Sequence, residues 1–105
     1  MLSERDTKRA ITEVLHKYKP EVYWYMPVPT GYGRSTLDYL GVVHGHGFAI
    51  EAKAPGKKPK PRQDMIIAEI RAAGGKVFVI DSPYSPELEE LDEWLKISLL
   101  LPAVF

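Results

Sequence analysis

Two acidic residues and one lysine have the types and spacing that hydrolytic chemistry requires. Asp38 is followed, after twelve intervening residues, by Glu51, and Lys53 comes two positions later. Carboxylates and backbone carbonyls are the ligands that hard divalent cations such as Mg²⁺ prefer. A neighbouring amine can orient or deprotonate water, or stabilise charge on a phosphate. If the fold brings them to one place, Asp38, Glu51, the Ala52 carbonyl and Lys53 would form a metal-dependent site.

A predicted β-hairpin must position these residues. Residues 35–43 and 47–54 have strand-like composition, and the glycines of the HGHG segment between them suit a tight turn. The two strands should therefore pair antiparallel. We place the turn at Gly45 and His46.

This turn fixes which side chains lie opposite one another. Asp38 should face Lys53, and Leu40 should face Glu51, so that Asp38 and Glu51 are diagonal neighbours on one face, about 7–8 Å apart. The more apolar alternation of Phe48, Ile50 and Ala52 belongs to the other face. An ordinary Asp38–Lys53 ion pair with a solvated Glu51 is an alternative interpretation.

The remaining pattern predicts an α/β fold. Helices are expected over residues 4–18 and 63–73 and from Pro86 onward, and further strands over 22–26 and 76–81. The helical crossover before the last strand favours parallel pairing. We therefore expect one domain over residues 1–105, with a mixed sheet of about four strands flanked by helices in the order α-β-β-β-α-β-α.

Charge is balanced overall but unevenly distributed. The formal net charge is zero, yet the segment from Lys53 to Arg62 contains no acid and five bases, namely Lys53, Lys57, Lys58, Lys60 and Arg62. Such a segment can neutralise phosphates, although charge runs are also often simply solvated loops. The absence of cysteine, the charged N-terminal residues and the short LLLPAVF segment lead us to expect a cytoplasmic protein of a bacterium or phage-infected cell, without signal peptide or membrane span.

Asp38 followed by Glu51-Ala52-Lys53 resembles the core of the PD-(D/E)XK nucleases, which share the restriction-endonuclease-like fold. Within that superfamily the chain is most similar to the VRR-NUC domain, and the similarity spans roughly residues 3–81. The similarity rests on six features in order along the chain. They are a glutamate in the first helix (Glu4), the GRSTLD segment that leads to Asp38, the IEAK segment (50–53), a basic loop, Gln63 at the start of the next helix, and Gly74-Gly75 before the KVFVI strand. Leu37 departs from the proline that often precedes the aspartate in this family.

The resemblance implies specific roles. Asp38, Glu51 and the Ala52 carbonyl would bind Mg²⁺, or Mn²⁺ in its place, and Lys53 would assist the attacking water. Glu4 would complete the site through water or a second ion. Gln63 would position Lys53 or phosphate. DNA contacts are expected from the basic side chains Arg34, Lys57, Lys58, Lys60 and Arg62.

The implied activity is Mg²⁺-dependent, structure-selective DNA endonuclease cleavage of branched or duplex DNA. Among members of the family, the chain most resembles the homodimeric resolvases that cut four-way (Holliday) junctions in DNA repair. Alternatives are a flap or single-strand nuclease, and a non-catalytic nucleic-acid-binding module of the same fold. An RNA substrate also stays open.

Three further features each leave two interpretations. His44 and His46 suit a surface turn better than a metal site. Aromatic residues 23–25 are either core residues or a base-stacking surface. The apolar C-terminal segment either caps the core or joins a dimer interface.

Overall fold

The computed structural model describes residues 1–28 and 35–104, which form three helices and four strands. These elements are α1 (Glu4–His16), β1 (Val22–Tyr25), β2 (Tyr39–Val43), β3 (His46–Ala52), α2 (Pro61–Ala72), β4 (Lys76–Ile80) and α3 (Pro86–Leu100). Among the helices described, none combines the length and apolar character needed to cross a membrane.

Local sequence explains where the helices begin. The Ser3 hydroxyl accepts a hydrogen bond from the Asp6 N–H at 3.3 Å, and the Asp6 carboxylate accepts one from the Ser3 N–H at 2.7 Å, which makes a capping box at the start of α1. Proline occupies the first position of both α2 and α3, where its missing N–H costs nothing. Helix α1 ends at His16, two residues before the predicted end.

The sheet has the order β1-β2-β3-β4. The first three strands pair antiparallel, and β4 pairs parallel with β3 after the α2 crossover. The predicted α/β fold with a mixed four-stranded sheet and flanking helices is therefore confirmed. It is consistent with a small restriction-endonuclease-like core.

The predicted hairpin register is wrong by two residues. The observed pairs run from Tyr39 opposite Ile50 to Val43 opposite His46, and the two-residue turn is His44-Gly45. Both turn residues have positive φ, 48° and 83°, as a type I′ turn requires. Asp38 consequently lies beside Glu51 rather than Lys53. Since side chains alternate with a period of two, a shift of two leaves every side chain on its predicted face.

Two hydrophobic clusters divide the sheet into layers. The larger one joins α1 and α3 to one face through residues that include Ile11, Ile50 and Leu95. The smaller one joins α2 to the other face through Leu37, Ala49, Ile67 and Val77. Helices thus cover both faces, as predicted. Glu51 follows the alternation of Ala49 and faces the α2 side, opposite the cluster that contains Phe48, Ile50 and Ala52.

Candidate active site

Asp38, Glu51 and Lys53 meet at one end of the sheet, where β2 begins and where β3 and β4 end. We call this the carboxylate end. Asp38 lies in a bend just before β2, Glu51 is the penultimate residue of β3, and Lys53 follows β3 directly. Burial falls from Glu51 to Lys53 to Asp38, whose side chains are 2%, 11% and 26% exposed. The candidate site therefore lies at the boundary between the buried core and the solvent-exposed surface.

Backbone and side-chain hydrogen bonds hold Asp38 and Glu51 together. The Asp38 N–H donates to Glu51 Oε1 at 3.2 Å, and the Ala52 N–H donates to Asp38 Oδ2 at 2.9 Å. The Asp38 side chain therefore takes the place of the next backbone hydrogen-bond partner between β2 and β3. This explains why β2 begins at Tyr39 and not at residue 35, where the sequence predicted its start.

Lys53 forms its ion pair with Glu51. Its Nζ lies 3.2 Å from Glu51 Oε2, and its backbone N–H donates to the Ile80 carbonyl at 2.9 Å, which fixes it against β4. The alternative in which Glu51 is solvated and Lys53 pairs with Asp38 is wrong, because Glu51 is buried and supplies the paired oxygen.

Glu51 has a strongly shifted acidity. Burial, and after it the negative charge of Asp38, raises the pKa of Glu51 to about 7, although the Lys53 ammonium acts in the opposite direction. Among the described residues Lys53 pairs with Glu51 alone, and the ammonium nearest to Asp38 is the partly exposed Lys8, 3.8 Å away. A bound cation would offset the negative charge of the two carboxylates.

Gln63, in the first turn of α2, completes the contacts of Glu51. Its Nε2 donates a hydrogen bond to Glu51 Oε2, the same oxygen that Lys53 approaches. Its Oε1 accepts from the Lys60 N–H at 2.9 Å. The predicted glutamine therefore links the start of α2 to the Glu51 carboxylate.

Lys8 is a site residue that the sequence interpretation missed. Its Nζ lies 3.3 Å from Glu4 Oε2 and 3.8 Å from Asp38 Oδ1. Glu4 therefore approaches Asp38 through an intervening ammonium, and its metal-binding role stays a prediction. Burial alone would lower the pKa of Lys8, but the Asp38 and Glu4 charges outweigh it and raise the pKa. The sequence does place Lys8 next to Glu4, because residues four apart on a helix are neighbours, and this spacing could have identified Lys8.

The basic segment between β3 and α2 starts from the carboxylate end. Lys57, Lys58, Lys60 and Arg62 are all exposed. The Gly56 N–H donates to Asp81 Oδ2 at 3.3 Å, which ties the segment to the end of β4, and the Arg62 guanidinium donates to Ser35 Oγ at 3.3 Å. The predicted DNA contact at Arg34 lies outside the described residues.

The donor set fits a hard divalent cation. Within residues 1–28 and 35–104 no cluster of three or more His, Cys, Asp or Glu side chains is arranged as a metal cage. Mg²⁺ is commonly bound through one or two carboxylates and keeps several waters, so it does not need such a cage. Asp38 and Glu51 supply two such carboxylates, and the Ala52 carbonyl stays the predicted third ligand.

The structure describes the surroundings of the turn histidine His44, of aromatic residues 23–25 and of the C-terminal segment. His44 Nδ1 hydrogen-bonds the Leu101 carbonyl at 2.8 Å, which identifies it as a structural turn residue. Tyr23 and Tyr25 are 64% and 48% exposed, whereas Trp24 packs on Tyr39 with ring centroids 5.8 Å apart. The C-terminal segment is exposed and lies against the hairpin turn, where the Val104 N–H donates to the His44 carbonyl at 2.8 Å.

No protein-family model matches the chain, and no curated protein matches it either. The VRR-NUC assignment therefore stays a prediction from the resemblance.

Proposed function

We propose that the chain is a Mg²⁺-dependent, structure-selective DNA endonuclease that acts as a homodimer on four-way junctions. The observation that carries the proposal is the buried Glu51 carboxylate. It touches Lys53 and Gln63 and lies beside Asp38, at the end of the sheet where an exposed basic segment begins. Burying charge is costly, of order 3–5 kcal/mol when a partner is missing, yet Glu51 is buried beside a second carboxylate with Lys53 as its ion-pair partner.

Each residue has a role in the proposed hydrolysis. Asp38, Glu51 and the Ala52 carbonyl would hold Mg²⁺, or Mn²⁺, which when bound would polarise the phosphodiester and acidify a water. Lys53 orients the attacking water and stabilises negative charge on the phosphate oxygens. Gln63 fixes the Glu51 carboxylate through the hydrogen bond to Oε2.

The reaction is an in-line displacement. The water gives up a proton as its oxygen forms a bond to phosphorus, the bond from phosphorus to the 3′ oxygen breaks, and that oxygen takes a proton from solvent. Lys57, Lys58, Lys60 and Arg62 would contact backbone phosphates without reading sequence. The 5′-phosphate product and the homodimer follow from the family resemblance, since two symmetric sites suit two symmetric incisions.

A cleavage assay tests this function. Labelled four-way junction, flap and linear DNA would be incubated with Mg²⁺, Mn²⁺ or EDTA. We expect paired nicks near the junction centre with either metal and none in EDTA. Glu51→Gln and Lys53→Met should each lower the rate constant at least about 100-fold, the usual scale for a lost acid–base or electrostatic group. Light scattering should give twice the chain mass of 11.9 kDa.

Asp92→Asn is the matched control, because Asp92 forms a surface ion pair with Lys17, 2.7 Å long, away from the site. It should cleave like the wild type. Activity that survives Glu51→Gln would contradict the proposed site. Junction binding with no cleavage in any metal would instead identify a non-catalytic binding module, and cleavage only of flaps or single strands would replace the resolvase assignment.

A further inference from the structure

A second basic surface adjoins the carboxylate end on the side opposite α2. A groove of about 550 Å³ runs beside α1, and Arg5, Lys8 and Arg9 contribute to its wall. Lys8 belongs both to this groove and to the candidate site, since its ammonium lies 3.8 Å from Asp38 Oδ1. The groove and the site are therefore continuous.

The cations of the groove lie along one side of α1. Residues three and four apart on a helix are neighbours, so Arg5, Lys8 and Arg9 form one stripe. Lys8 is already paired with Glu4 and Asp38, whereas Arg5 and Arg9 are exposed. Glu13 is the one acid among the described residues that line the groove, and it lies a full turn beyond Arg9. Glu4 and Asp38 balance the charge of Lys8, so Arg5 and Arg9 supply the positive charge of the groove that suits an anion.

The floor of the groove is apolar. The Tyr39 side chain is buried, and its hydroxyl is already bonded to Thr12 Oγ1 and to the Lys8 carbonyl, both at 3.0 Å. Met26, 39% exposed, supplies open apolar surface next to it. With the Tyr39 and Thr12 hydroxyls bonded internally, this part of the groove offers packing contacts rather than hydrogen bonds.

A cationic rim above an apolar floor fits one class of ligand especially well. An unpaired nucleic-acid strand has anionic phosphates at regular spacing and bases whose faces are free to pack. A duplex presents the same phosphates, but its base faces are stacked inside and cannot reach Met26.

We propose that the α1 groove binds the unpaired DNA strand next to the cleaved phosphodiester. Arg5 and Arg9 pair with two phosphates of that strand, and a base packs against Met26. The basic segment before α2 contacts the paired arm from the other side of the site. This inference rests on the proposed nuclease function and adds one feature of its DNA substrate: unpaired nucleotides beside a paired arm, which a four-way junction provides where base pairs open at its branch point.

Binding in EDTA tests the groove without chemistry. Fluorescence anisotropy would compare a 20-base-pair blunt duplex with the same duplex carrying a ten-nucleotide unpaired arm, over a series of salt concentrations. The variants are Arg5→Gln/Arg9→Gln and Met26→Ala, with Lys96→Gln as a control that removes an exposed cation from α3. Thermal melts would establish that each variant is folded.

We expect Arg5→Gln/Arg9→Gln to weaken binding of the armed DNA about tenfold or more. Its salt slope should fall by about 1.4, because each phosphate contact on a single strand contributes about 0.7. Blunt-duplex binding should not change. Met26→Ala should weaken armed-DNA binding about threefold without changing the salt slope, because it removes packing and no charge. Lys96→Gln should match the wild type.

Two outcomes would overturn the inference. Arginine variants that bind armed DNA like the wild type would remove the groove from the binding surface. Equal losses for armed and blunt DNA would show that it contacts duplex phosphates and no unpaired strand. In either case wild-type cleavage of junctions would leave the proposed function standing. Wild-type protein that neither binds nor cleaves any of these DNAs would instead eliminate the nuclease proposal itself.

Discussion

The Glu51 carboxylate receives contacts from three donors: the Asp38 N–H, the Gln63 amide and the Lys53 ammonium. Such contacts favour the charged form, yet burial and the Asp38 charge outweigh them and raise the pKa to about 7. In the unfolded chain a glutamate titrates near its ordinary value of 4.5. The folded protein therefore binds one more proton than the unfolded chain between these two values.

At the residue scale we predict that stability falls as pH rises from about 4.5 to about 7. With the folded pKa above the unfolded one, the stabilisation is complete below pH 4.5 and is lost by about pH 7, with a total change on the order of 3 kcal/mol. Urea unfolding of the metal-free protein would measure it. Glu51→Gln should flatten this dependence, whatever its effect on absolute stability.

Asp92→Asn is the control for this prediction. Burial would raise the pKa of Asp92, but hydrogen bonds from Lys17 and Tyr18 outweigh it and lower the pKa. The contribution of Asp92 is therefore present above about pH 4 and is lost only in more acidic solution. The variant should keep the wild-type slope between pH 5 and 7. A wild-type slope that Glu51→Gln leaves unchanged would assign the dependence to another group.

At the element scale, the β2–β3 hairpin and the C-terminal segment form one unit. His44 bonds to the segment through both its ring and its carbonyl, and the Val104 carbonyl packs on Gly45. A Cβ added at Gly45 would lie 1.7 Å from the Val104 oxygen, and the φ of +83° disfavours any L side chain. Both effects oppose substitution of this glycine.

We predict that Gly45→Ala lowers the free energy of unfolding by at least about 2 kcal/mol. The left-handed backbone accounts for about 1 kcal/mol, and displacement of Val104 accounts for the remainder. Gly74→Ala supplies the comparison, because Gly74 also has positive φ, +92°, but no atom lies within 4 Å of the added Cβ. Chemical denaturation would measure all variants.

Removal of residues 102–105 separates the two contributions. In the shortened chain Gly45→Ala should cost no more than Gly74→Ala, because Val104 is gone. An unchanged excess cost would mean that displacement of Val104 is not the reason why Gly45→Ala costs more than Gly74→Ala.

Helix and strand order was predictable from the sequence, whereas the hairpin register was not. Glycine positions suggested a turn at Gly45-His46, but His44 adopts a φ of 48°, in a region that histidine enters more readily than most residues. The alternation of hydrophobic residues does not indicate that His44 adopts this backbone conformation. The predicted face of Asp38, Glu51 and Lys53 is unaffected by this error, because an even shift preserves the face of the sheet that each side chain occupies.

At the scale of the whole molecule, one end of the sheet combines two carboxylates with basic surfaces on both sides. Alternation and the hairpin were enough to predict that Asp38, Glu51 and Lys53 share one face of the sheet. Lys8 required the packing of α1 against the sheet, which brings Lys8 to a residue thirty positions away. Sequence spacing alone does not contain that contact.

We predict that Mg²⁺ stabilises the folded protein. Binding only to the folded state adds about 1.4 kcal/mol at ten times the dissociation constant, which should raise the melting temperature by several degrees. The increase should be larger at pH 8 than at pH 6, because the metal competes with a proton on Glu51. Differential scanning fluorimetry would measure it.

Glu51→Ala and Asp38→Ala should each remove the Mg²⁺ effect. Glu90→Gln is the matched control, since Glu90 is an exposed acid on α3, and it should keep the effect. Stabilisation that persists in both site variants would place the cation elsewhere on the surface.

The hairpin turn and the C-terminal segment occupy the far end of β3 from Glu51. Seven strand residues, at about 3.3 Å each, separate the two ends by roughly 20 Å. A fluorophore or surface tether attached near Val104 would therefore leave the basic surfaces accessible to long DNA, and single-molecule recordings could follow the arms of a junction without steric interference from the anchor.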